Sequence, residues 1–421
     1  VDIDSPAKPK TAWIPPPRPD WVARLNQEGR YLDLAGVVPL DANSLINTAV
    51  ANTGLDNFGS DDWREPFEVL VKSYNEESQL TLIGRIMTRS ELLMFLEARL
   101  RVEEQYRLHP EIEEQQIKQP FWVLGQGRSG TSMLQTLLGL DPASRTIVNW
   151  EAMFPVKLPG AGPDRRIEIG DARIKQWVRV APEIAAMHEF AGDAQTETHH
   201  FESMSFQTPG WLNMLGMVPS YSAYMAKRSY EPSFLYARRV FKLMQWQKPG
   251  RHWVFKNADS LNYLPDLMKV FPDVRLVWSH RDPIKAMASA ISILSTIIWI
   301  RSDQRFGPGA FDFQTDPQLL ARSLIRPIEF LESGLIPKDQ LCNIQYLDLV
   351  KDPLATVGSV YEFFGMEFSG AARAAISDYL TANPRTARPP HSYAASAEQV
   401  TAADRAALKQ YQDYFRVPSE V

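Results

Sequence analysis

Apolar residues recur every three or four positions through SQLTLIGRIMTRSELLMFLEARLRVEEQYRLHPEI (78–112), with Arg and Glu between them. That spacing gives a helix one buried and one wet face, and it predicts helix through most of residues 21–117. The pattern changes at Lys118-Gln119-Pro120. Four short apolar or β-branched runs follow: FWVLG (121–125), HWVFK (252–256), VRLVWS (274–279) and CNIQYL (342–347). Each ends in polar residues, as a strand does. Helical stretches separate them, including 131–140, 260–270 and DPLATVGSVYEFFG (352–365). The last has an Asp cap, a Pro at the first helical position and a Gly stop. Strands alternating with helices predict an α/β fold with a parallel sheet covered on both faces.

This pattern divides the chain into a proline-rich arm (1–20), a helical region (21–117), an α/β domain (118–395) and a tail (396–421). Residues 157–251, between the first two strands, are too many for a simple crossover and are expected to form a lid or acceptor-site insertion. The most apolar run, AMASAISILSTIIWI (286–300), carries three serines and a threonine and falls short of the ~20 residues of a spanning helix. A buried helix in a soluble protein is expected there.

Composition changes this picture little. A net charge of −5 gives no global signal for nucleic acid or an anionic membrane surface. Cys342 is the only cysteine, which excludes an intrachain disulfide and a cysteine metal cluster and fits a reducing, cytoplasmic compartment.

The chemistry begins at GQGRSGTS (125–132). Gly125 and Gly130 stand where G-x-x-x-x-G-K-[ST] has its glycines, but Thr131 takes the lysine slot. Arg128 supplies a cation inside the loop. Gln126, Gly127, Arg128, Ser129, Gly130, Thr131 and Ser132 are the candidate anion-binding residues, helped by the positive end of the following helix. Without the lysine that serves the β- and γ-phosphates, a triphosphate with Mg²⁺ fits less well than a smaller anion. The alternative is a plain Gly/Ser turn. A second candidate lies in RLVWSHRDPIKAMAS (275–289): Arg281 at the strand end and Ser289 on the next helix could clamp another phosphate, or could be an ion-paired arginine and a core serine.

GQGRSGTSM with this Arg281/Ser289 spacing resembles the sulfotransferases that use 3′-phosphoadenosine 5′-phosphosulfate (PAPS). The nearest likeness is to the bacterial sulfotransferase-like proteins, with a more distant one to the tyrosylprotein sulfotransferases. It continues through WVFKNADSLNYLPDLMKVFPDVRLVWSHRDP (253–283) and IQYLDLVKDPLATVGSVYEFFG (344–365), covers most of 120–395, and extends to the helices of 50–117. The resemblance implies a three-layer sandwich like that of P-loop nucleoside triphosphatases. It implies PAPS as co-substrate with no metal, the 5′-phosphosulfate in the first loop and the 3′-phosphate on Arg281 and Ser289, with Tyr346 nearby. It also implies that Lys256 contacts the bridging oxygen, with Arg128 sharing that work.

The general base stays open. Glu151 lies near the position of the catalytic glutamate of the tyrosylprotein enzymes, two residues further on; it is also a candidate structural ion-pair partner. It stands first, with His200, His199 and Glu197, in AQTETHHFESMSF, behind it. Neighbouring residues point different ways, so the two histidines are not expected to share a metal. The cytosolic sulfotransferases place a histidine two residues after the strand-end lysine; here that residue is Ala258. The Met-, Phe-, Trp- and Tyr-rich stretch 201–225 is either core or the wall of an acceptor pocket, and the latter points to a small, hydrophobic alcohol or phenol as acceptor. The tail's Arg388, His391 and Tyr393 match the family loosely. A homodimer is admissible, and a P-loop kinase or hydrolase, or a non-catalytic nucleotide binder, are the competing functions.

Overall fold

The computed structural model describes residues 13–160, 162–208, 210–304, 316–384 and 401–420. Arg388, His391, Tyr393 and the first residues of the proline-rich arm lie outside them. At its centre is a five-stranded parallel sheet in the order β2-β3-β1-β4-β5. The strands are β1 (Phe121–Leu124), β2 (Ser144–Arg145), β3 (His252–Lys256), β4 (Arg275–His280) and β5 (Leu341–Gln345). Four match the apolar runs of the sequence. The fifth, β2, has only two residues on the sheet's edge beside His252 and Trp253, too short to leave a periodic signal.

The sheet is buried on both faces, which is why its strands read as continuous apolar runs. Successive side chains still alternate between faces. Trp122, Leu124, Trp253, Phe255, Leu276 and Trp278 enter one apolar cluster, while Phe121, Val123, Val254, Val277 and Ile344 enter the other. The second cluster is closed by the helices Thr131–Gly139 and Pro353–Phe363, through Leu134, Leu137, Leu138, Val357 and Val360. The first continues without a break into Leu92, Phe95 and Leu96 of the helix Leu82–Leu108. The N-terminal helices therefore form one layer of the same core.

The described residues of 157–251 fold as a helical cap that includes Arg166–Val180, His199–Ser203, Gly210–Met214 and Glu231–Gln247. Two stretches, Leu34–Thr53 and Pro283–Arg301, are apolar and long enough to cross a membrane by length and composition alone. The first is split by the Asp41 cap of the helix Ala42–Thr53. The second is 67% buried inside the protein.

The helix Pro283–Arg301 is seated by one close approach. Its last carbonyl, on Arg301, accepts from the Thr81 amide at 2.9 Å and lies against Gly84 of the helix Leu82–Leu108. A Cβ on Gly84 would stand 1.8 Å from that oxygen. Backbone cannot yield as a flexible side chain can, so Gly84→Ala is expected to destabilise the fold by on the order of 3 kcal/mol. Urea unfolding of the variant against the parent measures this; an unchanged midpoint would show that the helices separate freely.

Candidate functional site

In open α/β sheets ligands bind beyond the carboxyl ends of the strands. Here the parallel register sets Lys256 of β3 beside Val123 of β1 and Leu124 beside Trp278 of β4. The loop leaving β1 therefore emerges between the ends of β3 and β4. Gly125 (φ +143°) and Gly130 (φ +91°) adopt backbone that L side chains rarely reach. A Cβ on Gly125 would lie 2.5 Å from the Ser279 carbonyl, and one on Gly130 would lie 2.8 Å from the Tyr346 ring. Arg128 also has positive φ, +74°, a strained conformation for a residue with a side chain.

Arg128 donates from Nε to Ser289 Oγ (2.9 Å) and from its terminal nitrogen to the Met187 carbonyl (3.0 Å). Arg281 donates to the Arg128 carbonyl at 2.9 Å and stacks 4.1 Å over the Tyr346 ring. Tyr346 opens the helix Tyr346–Lys351 directly after β5. The expected second anion site is thus joined to the first through Arg128. In this structure the Arg281 guanidinium also holds both oxygens of Glu420, at 2.8 and 3.0 Å. Gln126 donates to the Pro283 carbonyl and Ser279 to the Ser129 carbonyl, which fixes the loop's path. The Ser129 hydroxyl is fully buried and has no hydrogen-bond partner among the described residues.

Beyond the loop opens a cavity of ≈ 170 Å³. Gly127, Arg128, Thr131, Ser132 and Lys256 form its polar end, and Trp177, Trp211, Met214, Ile293, Leu294 and Ile297 line the apolar remainder. Lys256 joins the two ends. It is 4% exposed, donates to Ser132 Oγ at 2.9 Å and pairs with Glu197 Oε1 at 2.7 Å. The other Glu197 oxygen accepts the Ala258 amide (3.3 Å) and lies 3.8 Å from His199 Nδ1. Burial pushes the Glu197 carboxyl up, but Lys256 and His199 outweigh burial and hold it below the usual range.

The profile of the Sulfotransferase family matches residues 120–370. The chain belongs to the sulfotransferase family. It is similar to sulfotransferase STF1 from Mycobacterium tuberculosis H37Rv, at 28% identity and a TM-score of 0.70, covering 89% of this chain and 98% of that one. Sulfotransferase STF9 from Mycobacterium avium, at 21% identity over 90% of this chain and 98% of its own, shares the fold with a TM-score of 0.71. No curated protein matches.

The sulfotransferase site gathers most, not all, of the residues singled out from sequence. Arg128, Thr131, Ser132, Lys256, Glu197, His199 and His200 share one cavity. Glu151 does not line it. The Arg145 guanidinium meets its carboxylate, with two hydrogen bonds of 3.0 and 3.1 Å. Both of its oxygens serve this ion pair. The adjacent histidines do not diverge: on the short helix His199–Ser203 their rings stack at 4.8 Å and both line the cavity. His199 Nε2 and His200 Nδ1 are buried without hydrogen-bond partners among the described residues. Burial first, and then the neighbouring His199, push His200 well below the ordinary histidine range. No group of three or more metal-ligating side chains occurs among the described residues.

Asp259 also lines the cavity, and the sequence reading passed over it. Its position three residues past the strand-end lysine was the available signal. Burial, reinforced by the negative charge of Glu197, raises its carboxyl from 3.8 to about 7. The folded state therefore holds this proton more tightly than the unfolded chain, so the group subtracts stability as pH rises through that interval. Asp259→Asn is expected to flatten the fall in stability between pH 4 and 7, measured by urea unfolding at several pH values. Parallel pH curves for parent and variant would contradict it.

Proposed function

We propose that this sulfotransferase moves the sulfuryl group of PAPS to the hydroxyl of a small hydrophobic alcohol or phenol. One observation carries the reading: Lys256 bridges the anion loop, at Ser132, and the carboxylate of Glu197, at the mouth of an apolar cavity. Donor chemistry and acceptor space meet at that ammonium.

In this reading the loop 125–132 and the amino end of the helix Thr131–Gly139 hold the 5′-phosphosulfate. Arg281 and Ser289 hold the 3′-phosphate, which displaces Glu420 from Arg281. The acceptor oxygen forms its bond to sulfur as the bond from sulfur to the bridging oxygen breaks, and adenosine 3′,5′-bisphosphate leaves with the electron pair. Lys256 and Arg128 stabilise the charge developing on the leaving oxygen. His199 takes the acceptor proton. The Glu197 carboxylate beside Nδ1 favours the Nδ1–H tautomer, which leaves the Nε2 lone pair for the hydroxyl. Glu197 then faces the imidazolium that forms. As a base itself it is the weaker choice, because Lys256 and His199 depress its proton affinity. The walls of Trp177, Trp211, Ile293, Leu294 and Ile297 favour an uncharged, hydrophobic acceptor.

Adenosine 3′,5′-bisphosphate is expected to raise the melting temperature without Mg²⁺, and Arg281→Ala to abolish most of that rise. Equal stabilisation by ATP with Mg²⁺ would return the kinase or hydrolase reading. Lys256→Met is expected to lower kcat by about 10²–10³ while leaving bisphosphate affinity within a few-fold. Initial rates with PAPS and 2-naphthol, beside calorimetric titration of the bisphosphate, separate these effects; a change in affinity alone would remove Lys256 from the chemistry.

A further inference from the structure

We propose that Glu91, on the N-terminal helix Leu82–Leu108, is a positioning residue for the acceptor site: it pins the Trp211 indole, and through that indole the plane of the His199 ring. The proposal rests on the reading of His199 as base, and it gives the N-terminal helices a part in the chemistry.

Glu91 is 7% exposed, and its Oε1 accepts the Trp211 indole N–H at 3.1 Å. The indole lies nearly parallel to the His199 ring, with centroids 4.7 Å apart and planes 8° apart. It also meets the His200 ring at 4.8 Å and stacks on Trp177 at 5.4 Å. Behind Trp177 lies the Arg301 guanidinium, 4.2 Å from that ring. Arg301 is fully buried, and none of its three side-chain nitrogens has a hydrogen-bond partner among the described residues. Glu91 is the carboxylate that offsets its charge; Arg173 lies 3.9 Å from the other Glu91 oxygen. A column thus runs from Arg301 through Trp177 and Trp211 to His199, with Glu91 fastened to its side.

The geometry says what this column does. Both nitrogens of an imidazole lie in the ring plane, so fixing that plane fixes the directions in which Nδ1 meets Glu197 and Nε2 meets an acceptor. A flat indole face fixes a plane but leaves sliding free. The hydrogen bond from the indole N–H to a buried carboxylate removes the sliding, and such a bond to an ionised acceptor is stronger than a neutral one. Small misplacements of a reacting group are costly, up to about 10²-fold in rate for roughly 1 Å. A residue on a helix outside the α/β sheet therefore governs the aim of the base without touching the acceptor.

Trp211→Phe keeps an aromatic face and deletes the N–H. It is expected to lower kcat about 10- to 100-fold while the KM for PAPS and the affinity for adenosine 3′,5′-bisphosphate stay within twofold. Glu91→Gln, which keeps an acceptor oxygen, is expected to retain most of kcat where Glu91→Ala does not. In the double variant Glu91→Ala/Trp211→Phe the losses should not multiply, because both remove the same contact. Turnover of PAPS is followed with 2-naphthol and with water alone, so that acceptor binding and proton removal are read separately. Should Glu91→Ala fail to fold, with Arg301 left uncompensated, Trp211→Phe and Glu91→Gln still decide the matter. Loss of turnover in His199→Gln with an unchanged Trp211→Phe would overturn the positioning role alone. Full turnover in His199→Gln would overturn the base assignment and this proposal with it.

Discussion

A lysine ammonium buried at the end of a central strand needs a carboxylate, and most of the site follows from that need. An ion taken out of water is tolerated when its charge and its hydrogen bonds are met nearby. Lys256 meets Ser132 on the helix behind the anion loop and Glu197 in the helical cap. Three segments far apart in sequence are thereby drawn to one point: the β1 loop, the end of β3 and the insertion. The cavity opens at that point, walled by Trp177, Trp211 and Met214 of the cap and by Ile293, Leu294 and Ile297 of the helix Pro283–Arg301.

The charges around this pair are sorted by environment. Glu197, beside Lys256 and His199, stays ionised, while Asp259, buried and facing Glu197, keeps its proton to about neutral pH. His200 is held uncharged by burial. Two carboxyls within one cavity thus differ in protonation near neutral pH, because one faces a lysine and the other is buried beside a carboxylate. Glu151 and Arg145 show the contrasting use of a buried carboxylate: both oxygens are spent on one guanidinium, and the pair braces the chain between β2 and the following helix.

The proposed second anion position is braced by contacts of its own. Arg281 is placed by Tyr346 beneath it and by the Arg128 carbonyl, and Glu420 covers its remaining donors. The C-terminal segment is itself tied down: Asp282 accepts the Glu420 amide and a two-pronged contact from Arg405, and Tyr411 bonds to His280 at the end of β4. The segment past residue 400 therefore packs against the end of β4 and against Arg281.

Local pattern determined a good deal about this protein. Short apolar runs marked four of the five strands, because the strands of a sheet buried on both faces are mostly apolar. The glycines at 125 and 130 and the missing lysine marked a candidate anion loop, and the structure shows the strained backbone those glycines allow. Family likeness singled out Lys256, Arg281 and Ser289 as candidates. What the sequence could not carry was pairing across the fold. Glu151 and Glu197 both sit near aromatic residues and look alike as candidates; which one faces the cavity depends on whether Arg145 or Lys256 lies opposite, and those partners are 6 and 59 residues away. The stack of His199 on Trp211, and its anchor on Glu91, join three segments that no periodicity relates. Secondary structure follows from neighbours along the chain, but a protonation state follows from neighbours in space, and only the packed molecule decides those.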